Sequence, residues 1–330
     1  MKPFSRREFL GKTAKGFAAA TIASATPVIF TSKNTLRTRS KSKVIIARAS
    51  STPGKEELRR MLNKSLTVMF NDKDSSAVWR SLFKTDETIG IKVNALGGRR
   101  LSTSPLLTAV VVEELLKAGI KEERIVVWDR TERELDDAGY KINSGGSGVK
   151  CMGTDSLSGG GYSGEISFSG EVGSIFSGIM DTCDALINIP VLKDHDIAGL
   201  SLGMKNWFGT IHNPNKYHDN NCSPYVADLS RHPMIKDRQR LIIADAIKVQ
   251  PNGGPAYKPQ WAVEYNGLLV SSDPVALDRA GLDIIDELRK EKKLKTLKDD
   301  GRFPHYLPVA EEYGIGNFDE SQIERIEVDI

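Results

Sequence analysis

Short β-branched runs alternate along this chain with segments of helical period. Lys43–Ala47, Thr88–Val93, Ile125–Trp128, Glu165–Phe168, Ala185–Ile189, Leu241–Asp245, Leu268–Val270 and Ile323–Val328 read as strands. Several are continuous apolar runs rather than alternating ones, the pattern of strands covered on both faces. Two helices are marked at both ends. Ser104-Pro105 opens an apolar-periodic stretch to Ala118 that Gly119 closes, and Asp273-Pro274 opens another that runs through Leu288 into Arg289–Lys293. The alternation predicts an α/β fold, a mainly parallel sheet with helices on both faces, as one domain or as two closely joined α/β lobes over residues 43–330. Between 143 and 178 glycine and serine dominate, which predicts a hairpin-rich insertion or lid; the order of a phosphate-binding glycine loop is absent there.

In an open α/β sheet ligands sit where strands end, so the polar residues just after the apolar runs carry the most information. These are Lys92 and Asn94, Asp129, Lys193-Asp194-His195, Asp245 and Asp273. Asp273 reads as a helix cap. The others would line one sheet edge as a polar cleft for an acidic or metal-bound ligand.

The densest chemistry follows in His195-Asp-Ile-Ala-Gly-Leu-Ser-Leu-Gly-Met-Lys205-Asn206-Trp-Phe-Gly209, with His212 and His218 beyond it. Histidine titrates near neutrality, lysine supplies an amine, and imidazoles ligate metals. The candidate catalytic residues are therefore His195 and Lys205. Lys205, Lys92, Asn94, Asn206 and Asp245 are candidates for binding a cofactor or substrate oxygens, and His212 and His218 for a divalent metal. The glycines are expected to let backbone approach the ligand.

At the amino terminus Ser5-Arg6-Arg7-Glu8-Phe9-Leu10-Gly11-Lys12 precedes a mildly apolar stretch to Phe30. This is the pattern of a twin-arginine signal over residues 1–30, with Ala23-Ser24-Ala25 as a cleavage candidate and a Ser/Thr-rich linker over 31–42. The stretch is too weakly apolar for a stable membrane span. An exported, periplasmic protein delivered by the twin-arginine machinery is expected. Residues 1–25 carry five basic side chains and one acidic one, so their removal takes the formal charge from +3 to −1. Nothing in the remainder suggests nucleic-acid binding. The three cysteines, Cys151, Cys183 and Cys222, contain no CxxC and give neither a disulfide framework nor a four-cysteine iron–sulfur site; Cys183 is expected within a buried strand.

Taken as an ordered set, Ile91-Lys-Val-Asn94, Asn188-Ile-Pro-Val-Leu-Lys-Asp-His195, Gly203-Met-Lys-Asn206, Ala244-Asp-Ala-Ile247 with Asn252-Gly-Gly-Pro255, and Ser272-Asp-Pro-Val-Ala-Leu-Asp278 resemble the bacterial and archaeal domain-of-unknown-function family 362. Some members carry ferredoxin-like cysteine clusters, from which this chain departs. A shorter pattern, His195-x-x-Ala198-Gly199-x-Ser201-x-Gly203-x-Lys205, is similar to a segment of nickel-pincer lactate racemases. That resemblance implies His195 as a proton shuttle, Lys205 as the attachment point of a covalently held pyridinium cofactor, and His212 or His218 as its nickel-binding histidine. No histidine precedes residue 195, so that family's second catalytic histidine has no counterpart in the amino-terminal half.

The expectation is a cofactor- or metal-dependent enzyme that transfers a proton or hydride on a small anionic carbon acid. The alternatives are a periplasmic ligand- or metal-binding protein without turnover, and a redox protein associated with iron–sulfur chemistry. Convergence of His195 and Lys205 with Asp245 or Asp273 would favour catalysis.

Overall fold

The computed structural model describes residues 41–162 and 164–330, which form a single unit built on one main sheet. The expected signal segment 1–30 and almost all of the 31–42 linker lie outside the described residues. The strands are β1 (Ser42–Arg48), β2 (Ile89–Val93), β3 (Ile125–Asp129), β4 (Lys150–Gly153), β5 (Ser167–Ser169), β6 (Val172–Ser174), β7 (Ala185–Ile189), β8 (Val191–His195), β9 (Gly199–Ser201), β10 (Gln239–Gln250), β11 (Val263–Ser271) and β12 (Ile323–Asp329). The main sheet runs β12-β1-β11-β10-β7-β2-β3-β4, with β8 paired to β10 and to β9.

The run β10-β7-β2-β3-β4 is parallel throughout, and β12 is parallel to β1. β11 is antiparallel to both its neighbours, as is β9 to β8. Every residue of β2, β3 and β7 is buried, which is why these strands read as mainly apolar runs without a polar face. Alternation sorts the core by face. Ile45 and Ala47 pack with the helices Lys55–Phe70, Ser75–Leu82 and Pro105–Lys117, whereas Val44 and Ile46 join the cluster containing the helices Pro274–Glu291 and Tyr306–Glu312. Helices therefore cover both faces of a mixed, mostly parallel sheet.

The two marked helices begin as their sequences require. Ser104 Oγ accepts from the Leu107 N–H, and the chain turns out of the helix through Gly119 at φ +97°. Asp273 Oδ1 accepts from the N–H groups of Val275 and Ala276.

Three local expectations are corrected. The Gly/Ser-rich 143–178 segment is not wholly an insertion, because Lys150–Gly153 forms the edge strand of the main sheet beside β3. The strand expected at Glu165–Phe168 shrinks to Ser167–Ser169, in a separate hairpin with β6 where Phe168 is exposed. Cys183 caps the short helix Gly178–Thr182 instead of lying in a strand, and its thiol donates to the Ile179 carbonyl.

Strand β8 matters most for the site. Pro190, which has no N–H, separates it from β7, and the Pro190 carbonyl accepts from the Asp245 N–H at 2.8 Å. Beyond that break Lys193, Asp194 and His195 are all buried in strand geometry. Asp194 is held by Arg302 at 2.8 Å and by the Gly254 N–H at 2.9 Å, so the polar strand is anchored on the protein side.

Candidate active site

A cavity of about 280 Å³ opens at the carboxyl ends of β2, β3 and β8, bordered by the turn structure Lys205–Thr210. Lys92, Asn94, Lys193, His195, Lys205, Asn206 and His218 all line it. The sequence-predicted Lys92, Asn94, His195, Lys205, Asn206 and His218 are thus brought together.

Two predicted residues are not. Asp245 is buried elsewhere, where its Oδ2 accepts from the Ser104 N–H at 2.8 Å and its Oδ1 from the Ile247 N–H at 3.0 Å. Burial pushes its carboxyl up to about 6. It ties β10 to the start of the helix Pro105–Lys117 and offers the cavity nothing. His212 is exposed, with its ring edge against Tyr162, and does not join His218. Asp273 is a helix cap as expected, so neither Asp245 nor Asp273 converges on His195 and Lys205.

The lysines differ in their partners. Lys92 Nζ donates to Asp129 Oδ1 at 2.7 Å and to the Val93 carbonyl at 2.7 Å, so its counter-charge is built in. Lys193, fully buried, donates to Asn94 Oδ1 at 3.0 Å and to the Leu101 carbonyl at 3.3 Å. Lys205, 7% exposed, meets His218 Nε2 at 3.1 Å and lies 3.9 Å from the centre of the Phe208 ring. Neither Lys193 nor Lys205 has a carboxylate at salt-bridge distance among the described residues. Burial is the main cause that lowers each to about 8.

A line of amides runs inward from the cavity. Asn94 Nδ2 donates to Asn206 Oδ1 at 3.1 Å, Asn206 Nδ2 to Asn188 Oδ1 at 2.8 Å, and Asn188 Nδ2 to the Gly203 carbonyl and to Gln239 Oε1. Because each amide oxygen in that line accepts a donor, the orientation of every member follows from the next.

The two cavity imidazoles stack at 5.4 Å with 26° between their planes, and their surroundings set opposite tautomers. His195 Nδ1 accepts from the N–H groups of Ile197 and Ala198, both at 3.2 Å, which leaves the proton of the neutral ring on Nε2. Asp196 Oδ1 also lies 3.2 Å from Nδ1, but that carboxylate is 65% exposed and screened by solvent, whereas the two amide hydrogens are fixed by the backbone. Burial, then the neighbouring Lys205, pushes His195 down to about 2. His195 is therefore neutral, with its Nε2–H as the available donor. His218 is reversed: its Nδ1 faces the Pro214 carbonyl at 3.1 Å and so carries the hydrogen, leaving the Nε2 lone pair toward Lys205. Burial, with Lys205 beside it, lowers the His218 pKa.

The glycines of the His195–Gly209 run are required by the protein's own packing, although Gly209 also lines the cavity. A Cβ on Gly209 would stand 2.8 Å from both Lys92 Nζ and Asp129 Oδ1, and one on Gly203 would stand 2.9 Å from Asp278 Oδ1. Asp278 is the residue that sequence reasoning left without a role. Fully buried, it accepts from the N–H groups of Gly203 and Met204 at 2.7 and 3.1 Å and so holds the turn that presents Lys205. Arg302, equally unforeseen, donates to the His195 carbonyl at 3.3 Å.

The donor set does not fit a metal held by side chains: no group of three or more His, Cys, Asp or Glu suited to a metal ion occurs among the described residues. Of the two histidines that the nickel-pincer resemblance implies for nickel, His218 has its Nε2 3.1 Å from the Lys205 amine, whereas His212 is exposed. The buried Cys222 thiol, pushed up to about 11, lies near enough to Lys205 to interact electrostatically and is a neutral neighbour.

A family model described as "Domain of unknown function (DUF362)" matches residues 89–283, more than half of the 330-residue chain, and this span contains every cavity residue named above. A search of curated proteins found no match. Two solved structures are similar. One is a protein from Thermotoga maritima, 13% identical, with a TM-score of 0.44, covering 73% of this chain and 60% of its own. The other is the lactate racemase apoprotein from Thermoanaerobacterium thermosaccharolyticum, 17% identical, with a TM-score of 0.42, covering 74% of this chain and 57% of its own. The alignments thus span about three fifths of the length of either structure.

Proposed function

The chain belongs to this domain-of-unknown-function family, and from that premise we propose that it is an enzyme that binds a small anionic carbon acid in the cavity and moves a proton at the carbon beside the carbonyl. The observation that carries the reading is the pair of buried amines, Lys193 and Lys205, without carboxylate partners at salt-bridge distance among the described residues. Buried charges are ordinarily paired, and an anionic ligand supplies the missing charge. At about 280 Å³ the cavity suits a ligand of a few heavy atoms.

The remaining groups divide the chemistry. Neutral His195 donates from Nε2 to the substrate oxygen on which negative charge develops. His218, with its Nε2 lone pair free of a backbone partner, is the proton acceptor. The amide line through Asn94, Asn206 and Asn188 holds these groups in place without titrating. The amino-terminal Ser5–Lys12 pattern supports twin-arginine export of the folded protein to the periplasm, and fractionation of an Arg6→Lys, Arg7→Lys variant tests that: unchanged delivery would contradict it.

The function is tested by following exchange of the methyl protons of pyruvate for deuterium by NMR. Wild-type protein should accelerate exchange over buffer, and His218→Asn should abolish the acceleration. Exchange no faster than in buffer would contradict the reading.

A further inference from the structure

We propose that Lys205 acts as an amine nucleophile that forms an imine with the carbonyl carbon of a small 2-oxo acid. This rests on the anion-binding reading above and narrows its substrate to carbonyl compounds. Three geometric facts separate Lys205 from the other cavity amines. Lys92 is tied to Asp129 and Lys193 to Asn94 and Leu101, whereas among the described residues Lys205 has one hydrogen-bond partner, the ring nitrogen His218 Nε2. That nitrogen is a lone pair, because its ring partner Nδ1 gives its hydrogen to Pro214. The amine is also buried, 7% exposed, and the loss of hydration lets it give up its proton more readily than an ammonium in water.

The step balances without any added reagent. Lys205 Nζ attacks the carbonyl carbon, and an N–H proton passes to His218 Nε2 while the carbonyl oxygen becomes a hydroxyl by taking up a proton from solvent. The His218 imidazolium then returns its proton to that hydroxyl, which leaves as water as the C=N bond forms. The iminium so produced withdraws electrons from the adjacent C–H and makes it more acidic, and His218, neutral again, accepts that proton. His195 Nε2–H donates a hydrogen bond to the oxygen throughout and loses no proton. Lys193 faces the substrate carboxylate.

The test is reductive trapping. Full-length protein is mixed with pyruvate and sodium borohydride, and its intact mass and proteolytic peptides are compared with those of Lys205→Arg and His218→Asn. The expected result is one reduced adduct on Lys205, absent in Lys205→Arg and formed at least tenfold more slowly in His218→Asn. Thermal melts with and without pyruvate show whether each variant folds and still binds. Pyruvate protection and deuterium exchange in the wild type without any adduct would overturn the imine and leave the proton-transfer reading standing. Neither protection nor exchange would overturn both. Labelling of a lysine other than 205, or a Lys205 that already carries a covalent group in the isolated protein, would overturn the imine alone.

Discussion

His218 Nε2 lies 3.1 Å from Lys205 Nζ, and the ring that holds that nitrogen stacks on His195, whose own Nδ1 is occupied by two backbone N–H groups. The relationship gives one imidazole an acceptor role and the other a donor role. It follows that His195 should not titrate in the ordinary histidine range. With its pKa pushed down to about 2, its ring nitrogens should keep the neutral Nε2–H pattern in nitrogen-15 NMR spectra down to pH 5, and a midpoint near 6.5 would contradict the assignment.

Lys205 should react as an unusually available amine. Its pKa is lowered to about 8 by burial, so competitive acylation should show reactivity rising as the pH passes about 8. An amine at the ordinary lysine value of 10.5 would rise only at higher pH. The groups around it are Lys92, Lys193, His195, His218, Asp129, Arg130, Glu134, Asp196 and Cys222, none of which forms a salt bridge with it. A midpoint at the ordinary lysine value would contradict the site's electrostatics.

Asp278 should be a positioning residue with a measurable pH signature. Burial raises its carboxyl from 3.8 to about 8, so between those values the folded state binds more protons than the unfolded one and the residue's contribution to stability falls as the pH rises. Asp278→Asn removes that dependence. Its stability relative to wild type, from urea denaturation, should therefore increase with pH across that window. Asp278→Ala leaves two buried N–H groups unpaired and should cost about 2–5 kcal/mol. A flat difference between Asn variant and wild type would contradict the burial argument.

Gly209→Ala should disturb the Lys92–Asp129 pair, because the added Cβ would meet both partners at 2.8 Å. Destabilisation of about 1–3 kcal/mol is expected in denaturant titrations. An unchanged midpoint would show that the pair yields freely.

Much of this site was legible because polar residues punctuate apolar strands: Lys92 lies near the end of β2 and Asn94 follows it, and Lys205 and Asn206 stand in a glycine-spaced turn. The α/β class followed from the same periodicity. What stayed hidden depends on partners remote in sequence. Asp245 looked like a cleft residue until its carboxylate was seen to bond Ser104, 141 positions away. Asp278 belonged to a recognised motif, yet its task lies at Gly203 and Met204, 75 and 74 positions earlier. Spacing within the irregular segment after Gly209 says nothing about ring direction, so His212 and His218 looked equivalent although one is exposed and the other faces Lys205. Strand β8 was missed because Lys193, Asp194 and His195 interrupt the apolar pattern at the place where the site is built.

The central claim is that an anion supplies the counter-charge for Lys193 and Lys205, and calorimetric titration with pyruvate and with its uncharged amide tests it most directly. Wild-type protein at low salt should bind pyruvate at least about tenfold more tightly than the amide, about 1.4 kcal/mol, and a folded Lys193→Met variant should lose that preference. Equal binding of the two ligands by wild type, or a preference unaffected by Lys193→Met, would contradict it.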